Sequence, residues 1–218
     1  MTAERIDRAL DELGFESGSV SETIVTTVNP NGSPNAAPMG VRRTGPGTLD
    51  IMPYRTSSTY RNLQGRLRAC INVTSSPALF LVTAFKEEVL DDFPRVSVDG
   101  GLRLASSDAH VFVEVVEEGD VSGIKACFMC RVTSVEVRRT TPSVFSRGRA
   151  EAIEAVIHAT RIQAFMDGGE PGRVEILIRL FDECKDVVGR TSAPGSEEAR
   201  VVRELERMIG TWREEASG

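Results

Sequence analysis

The feature that most constrains this chain is a change of hydrophobic period near Thr140-Thr141-Pro142. Before it, apolar residues alternate with polar ones, the period of a β-strand; after it they recur every three to four positions, the period of a helix. Glu22 to Val28 (ETIVTTV) is β-branched and reads as a strand, Thr48 to Met52, Leu67 to Val73 and Ala109 to Val116 also read as strands, and Ile124 to Arg138 as a long strand or a strand with a bulge. Ser33 to Val41 (SPNAAPMGV) reads as an extended return segment. Asn29-Pro30-Asn31-Gly32 and Gly45-Pro46-Gly47 read as turns, because Asn-Gly and Gly accept positive φ. About six or seven short strands with closely spaced turns predict a closed or nearly closed antiparallel barrel. Beyond Pro142, Ile153, Val156, Ile157, Thr160 and Ala164 fall on one helical stripe. Val174, Leu177, Ile178, Phe181 and Val188 fall on a second, ended by Gly189, and Val202, Leu205, Met208, Ile209 and Trp212 on a third, capped by Ser196. The reading is α+β: residues 1–142 as a barrel preceded by a helix over Ala3 to Leu13, and residues 143–218 as a helical domain. Ala78 to Phe85 fits a strand or a helix, Asp91-Asp92 a surface loop, and Glu117 to Gly123 an acidic turn.

Charge narrows the possible partners. Lys and Arg number 26 against 32 Asp and Glu, a net charge of −6, which argues against a nucleic-acid surface. No apolar run approaches the roughly 20 residues of a membrane span. The N-terminal MTAERIDRALDELGF carries acids and no apolar core, so no secretory signal is expected there. Four cysteines in 218 residues do not resemble a disulfide framework, and a reducing cytoplasm is the expected location.

The densest stretch chemically is Pro53 to Ser75 (PYRTSSTYRNLQGRLRACINVTS). Tyr54-Arg55 closes one strand, and Thr56, Ser57, Ser58 and Thr59 put four hydroxyls beside one guanidinium. Ser58 reads as the N-cap of a short helix over Tyr60 to Gly65. A helix start offers unpaired N–H groups and a positive dipole end, and arginine offers a fork for two phosphate oxygens. The physical reading is a phosphate seat; the same residues would also serve as a Ser/Thr-rich turn that merely caps a helix. The prolines and alanines of Ser33 to Val41 suit either a strand whose main chain a flat ligand approaches closely or a kinked edge strand.

Other groups point away from chemistry of their own. Cys127 and Cys130 lie in one expected strand and so face opposite ways, which favours burial over metal binding. The chain has two histidines, His110 at a strand start and His158 beside Glu154 and Arg161 in an ion network on a helix face. Acidic segments 114–118 and 197–206 read as solvated faces. No acid, base or nucleophile stands out beside the seat, a pattern that fits a protein borrowing its reactivity from a phosphorylated cofactor.

Glu22–Val41 together with Pro53–Thr74 resembles the flavin reductase-like, FMN-binding split barrel, in particular the DUF447 family of archaea and some bacteria. The likeness runs from PNAAPMG to the T-x-x-N of Thr59–Asn62 and the INV of Ile71–Val73, and Arg149–Arg161 resembles the family's helical segment. The resemblance implies an antiparallel split β-barrel with a C-terminal helical domain, and a homodimer with FMN near the interface. It implies that Thr56, Ser57, Ser58 and Thr59 hold the phosphate with help from Tyr54-Arg55. Asn35, Ala36, Ala37, Pro38 and Met39 would run along the ring, and Asn62 and Asn72 would support the site or contact the ribityl chain. Flavin reductases usually carry Lys or Arg-Asp before the helix threonine, where this chain has Ser57-Ser58.

Three functions compete. The first is an FMN-dependent oxidoreductase taking hydride from a nicotinamide or other small donor. The second is a flavin carrier or sensor without turnover. The third is a split-barrel dimer holding haem or pyridoxal phosphate, with His110 as the axial ligand available to haem.

Overall fold

The computed structural model describes residues 1–18, 20–89, 93, 97–99, 102–120, 122–138 and 146–216. The loop expected at Asp91-Asp92 and the switch at Thr140-Thr141-Pro142 lie outside the described residues. The chain forms two compact units, one of Met1–Thr74 with Val96–Thr141 and one of Ser75–Arg95 with Pro142–Gly218. The described residues 75–89, expected within the barrel half, thus cluster with the helices.

The first unit is a closed antiparallel barrel. Its strands are β1 (Val20–Val28), β2 (Pro34–Gly45), β3 (Thr48–Ile51), β4 (Arg68–Val73), β7 (Ala109–Asp120) and β8 (Ala126–Val137). They run around the barrel in the order β1-β2-β3-β8-β7-β4, and β4 pairs back onto β1. A short hairpin, β5 (Val98–Asp99) and β6 (Arg103–Leu104), forms a separate sheet. The β1–β2 hairpin turns at Asn29–Ser33, where Gly32 has φ of 86°. Side chains alternate, so Val25, Val41, Leu49, Ile51, Ala69, Ile71, Val111, Val113, Phe128, Cys130 and Val132 fill one contiguous core. Helix α1 (Ala3–Glu12) adds Ile6 and Leu10 to that core. It is tied down by Arg43, which donates to Asp11, to Asp7 at 3.1 Å and to the Phe15 carbonyl at 3.0 Å.

The expected acidic turn at Glu117 to Gly123 is instead mostly strand. β7 continues through Asp120, pairing Glu117 with Met129 and Asp120 with Ala126 beyond a register shift at Val115/Glu117. The carboxylates stay in water on an exposed ribbon while β8 supplies the backbone partners, so charge does not end the strand.

The second unit holds α3 (Pro77–Phe85), α4 (Arg147–Asp167), α5 (Pro171–Thr191) and α6 (Glu197–Glu215). The ambiguous Ala78 to Phe85 is α3, capped by Ser76, whose hydroxyl accepts the Leu79 N–H. All its apolar residues but Ala84 are buried, which erases the amphipathic signal. The buried face of α4 is Ala152, Ala155, Val156, Ala159 and Ile162; of the expected stripe Val156 is buried, Ile153, Ile157 and Thr160 are half-buried and Ala164 is exposed. Alanines carry little hydropathy, yet they let a neighbouring helix approach closely. Of the solvated or interface ion network expected around His158, the structure has a buried His158 with Nε2 3.6 Å from Glu154. Glu198 and Glu204 of the acidic segment are also buried, and Glu204 pairs with Arg207 at 2.7 Å. α5 runs past Gly189 to Thr191.

Replacing Leu205, fully buried on α6, by alanine should destabilise the helical unit by about 2–5 kcal/mol through lost burial and the cavity left behind. The fluorescence of Trp212, on the same helix, is the readout; an unchanged urea midpoint would contradict this packing.

Candidate functional site

Two polar clusters form on opposite faces of the sheet, anchored by neighbouring threonines of β1. The first lies where α2 (Ser58–Arg66) packs on β1 and β2. Asn35 Nδ2 donates to Thr27 Oγ1 and Thr59 Oγ1, each at 3.2 Å. Asn62 Nδ2 donates to Thr27 Oγ1 and Asn29 Oδ1, each at 2.9 Å. All four of Thr27, Asn35, Thr59 and Asn62 are buried. Asn35 to Met39 pair with β1 along one edge, while β3 pairs with β2 only from Val41 onward. Among the described residues, no strand pairs with the other edge of β2 over residues 34–40. The Asn35–Thr59 bond therefore brings an open strand edge beside a helix start.

At that helix start the cap is Ser57, not Ser58. Ser57 is extended, with φ −76° and ψ 155°, and its hydroxyl accepts the Tyr60 N–H at 3.2 Å. Arg61 N–H reaches the Ser57 carbonyl. The N–H groups of Ser58 and Thr59 remain as first-turn donors without intrahelical partners. Thr56 is exposed, and Ser58 Oγ accepts from Arg61 at 3.3 Å. Gly65 lies inside the helix, which ends instead at Leu67 with φ of 52°. Tyr54 is exposed, with the Lys125 ammonium 4.5 Å from its ring centre. Arg55 sits on the rim of the turn, held by Tyr60 and Asp120. The donor set around residues 55–59 suits a phosphate.

The second cluster is on the outer face. Asn72, fully buried, donates to the Ile24 carbonyl at 2.8 Å and Thr26 Oγ1 at 2.7 Å, and its Oδ1 accepts the Leu104 N–H at 2.9 Å. His110, also fully buried, has Nδ1 3.1 Å from that same Oδ1, so Nδ1 carries the proton. Of the residues singled out by sequence, Asn35, Thr59 and Asn62 thus converge, with Thr56, Ser57 and Ser58 beside them. Asn72 stands apart. Ala36 is buried, and Ala37, Pro38 and Met39 are half-buried along β2, with Met39 against the barrel core. Sequence reasoning missed Thr27, the hub of the first cluster; its place in a β-branched run gave no signal beyond strand propensity.

Cys127 and Cys130 face opposite ways on β8, Cys130 into the core and Cys127 toward Asp50. Burial pushes the thiols of Cys70, Cys130 and Cys184 up to about 12, and burial together with Asp50 pushes Cys127 up to about 11. Among the described residues, no group of three or more His, Cys, Asp or Glu side chains is placed to hold a metal, and no helix is long and apolar enough to cross a membrane.

A barrel whose second strand is open along half its length, with a helix start at the opening, is the flavin reductase-like split barrel. The chain belongs to the DUF447 family: the model of its N-terminal domain, described as a protein of unknown function, matches residues 21–139. The fold is similar to that of the FMN-bound protein MM1853 from Methanosarcina mazei, of the same family. The two are 22% identical, with a TM-score of 0.70 over 91% of this chain and 98% of that one. More distant likenesses include the flavin reductase HpaC complexed with NADP+, 18% identical with a TM-score of 0.48 over 62% of this chain and 90% of that one. An FMN-binding protein from Thermus thermophilus with bound 1-cyclohex-2-enone is 16% identical, with a TM-score of 0.45 over 57% of this chain and 75% of that one.

Two outcomes are expected from this geometry. Asn72→Ala should cost about 1–3 kcal/mol by leaving buried partners unmet, read as a lower thermal midpoint of the barrel's circular dichroism. Because the thiolate is the reactive form and burial holds all four thiols protonated, a thiol-reactive disulfide at pH 8 should label the native protein slowly and the urea-unfolded chain at four sites. Fast labelling of Cys70 or Cys130 in the native protein would contradict their placement.

Proposed function

We propose that this chain binds FMN and acts as a flavin-dependent oxidoreductase. The observation that carries the reading is the Asn35–Thr59 hydrogen bond, which seats an anion-favouring helix start beside an open strand edge. FMN has two parts that match: a phosphate at one end and, at the other, a flat ring edged with hydrogen-bonding groups. The donor chemistry fits. The Ser58 and Thr59 N–H groups, the Thr56 hydroxyl and the Arg55 guanidinium would hold the phosphate, and Ser57, engaged as the cap, would orient the turn. The main chain of Asn35 to Met39 would meet the ring edge, with the small side chains of Ala36 and Ala37 allowing close approach. Tyr54 would flank the turn. Asn62 would position α2 through Thr27 and Asn29, and Asn72 would act only at one remove, through Thr26. The FMN-bound relative from Methanosarcina mazei supports the choice of flavin.

When bound, FMN supplies reversible uptake of a hydride equivalent. The chain's own residues bind and orient the cofactor and leave the exchange of hydride to small partners, a nicotinamide donor among them. The same reading includes a homodimer with FMN near the subunit interface and a cytoplasmic location. It gives His110 no part as an axial ligand, since that ring is enclosed against Asn72.

The test is an absorption spectrum after incubation with FMN and removal of the excess. A flavin band that denaturation releases is the expected result, and no retained band at micromolar FMN would end the proposal. The loaded protein should then bleach anaerobically with NADH or NADPH. A retained flavin that no donor reduces would leave a carrier in place of an oxidoreductase.

A further inference from the structure

We infer that Glu118 and Asp120 compete with a bound phosphate for Arg55, and so set how strongly the site prefers a phosphorylated flavin to an unphosphorylated one. The inference rests on the flavin-binding reading above and adds a determinant of specificity on the far end of β7.

Arg55 is already held. Its Nη1 donates to the Tyr60 hydroxyl at 3.0 Å and its Nη2 to Asp120 Oδ1 at 3.1 Å. Glu118 Oε1 lies 3.7 Å from Nη1. The Tyr60 hydroxyl donates to Glu118 Oε1 at 3.1 Å, and Gln64 Nε2 donates to the same hydroxyl at 2.8 Å and to Glu118 Oε2 at 3.2 Å. The guanidinium also lies 5.5 Å from the centre of the Tyr60 ring. The hydrogen bond to Asp120 stabilises its charged form. The clasp is a product of register: Glu118 and Asp120 are two apart on one strand and so share a face, beyond the shift at Val115/Glu117.

Every charged member of the clasp is partly in water, with side chains 33%, 35% and 66% exposed for Arg55, Glu118 and Asp120. Exposed pairs of this kind are weak and screened by salt. A phosphate, which accepts two parallel bonds from one guanidinium, is the stronger partner. Turning Arg55 to the phosphate nevertheless gives up its bond to Asp120 and its approach to Glu118. A ligand with no phosphate never meets that cost, because it leaves the clasp closed. The two acids therefore act on FMN and not on riboflavin.

The experiment measures dissociation constants for FMN and riboflavin by flavin fluorescence. It compares the wild type, Glu118→Gln, Asp120→Asn, the double variant, and the double variant carrying Arg55→Ala. In the double variant FMN affinity should rise about three- to tenfold, the scale of exposed ion pairs, while riboflavin affinity stays within about twofold. The gain should vanish once Arg55 is alanine. An unchanged FMN-to-riboflavin ratio in the double variant would overturn the competition while leaving the flavin reading intact. A gain that survives Arg55→Ala would also overturn it, since the acids would then act through their field alone. A wild type that takes neither flavin removes the flavin reading itself.

Discussion

The pairing of β1 with β4 is the constraint on which the barrel unit depends. It closes the barrel by setting Ile24 opposite Asn72, Val25 opposite Ile71 and Thr26 opposite Cys70. Side chains on a strand alternate, so this register decides what lies inside and what lies outside. Val25 and Ile71 enter the core. Thr26 and Thr27, adjacent in the chain, face opposite ways, and each becomes the anchor of a polar cluster. Thr27 gathers Asn35, Thr59 and Asn62 at the opening; Thr26 gathers Asn72 and, through it, His110 and Leu104 on the outer face. A one-residue slip would exchange the two sets and dismantle both.

The opening follows from the same pairing. β2 is twelve residues long, but β3 is only four and meets it over its second half. The first half keeps β1 on one side and, among the described residues, pairs with no strand on the other. An open edge invites pairing with other chains, and short strands, prolines and charges are the usual defences. Here Pro34 and Pro38 thin the donors of β2, and α2 packs beside it. The result is a stretch of strand main chain poorly suited to pairing with another strand.

Electrostatics around the helix start is more balanced than the chain's net charge suggests. The N–H groups of Ser58 and Thr59 and the guanidinium of Arg55 favour an anion, while Glu118 and Asp120 answer that charge from β7. The helix start is thus a small electropositive point within an acidic rim, where the surrounding field gives a negative group no general attraction.

Much of the barrel was legible locally. The β-branched runs, the Asn-Gly turn and the helix after Tyr54-Arg55 are set by propensity, turn chemistry and capping, all of which act within a few residues. Sequence alone determined that a strand-rich half precedes a helical half, and that hydroxyls and an arginine gather before a short helix. Tertiary structure decided the rest. It made α3 a helix, because a segment buried on every side has no period to read. It carried β7 past its acids, because β8 supplied their backbone partners. It chose alanines for the seam of α4, because closeness of approach matters there more than hydropathy. It brought in Thr27 and sent Asn72 to the other face, because the face a strand residue takes depends on register with a partner distant in the chain. It gave Arg55 the Asp120 carboxylate across 65 residues of sequence. Local chemistry names the groups that a chain carries; only long-range pairing decides which of them meet.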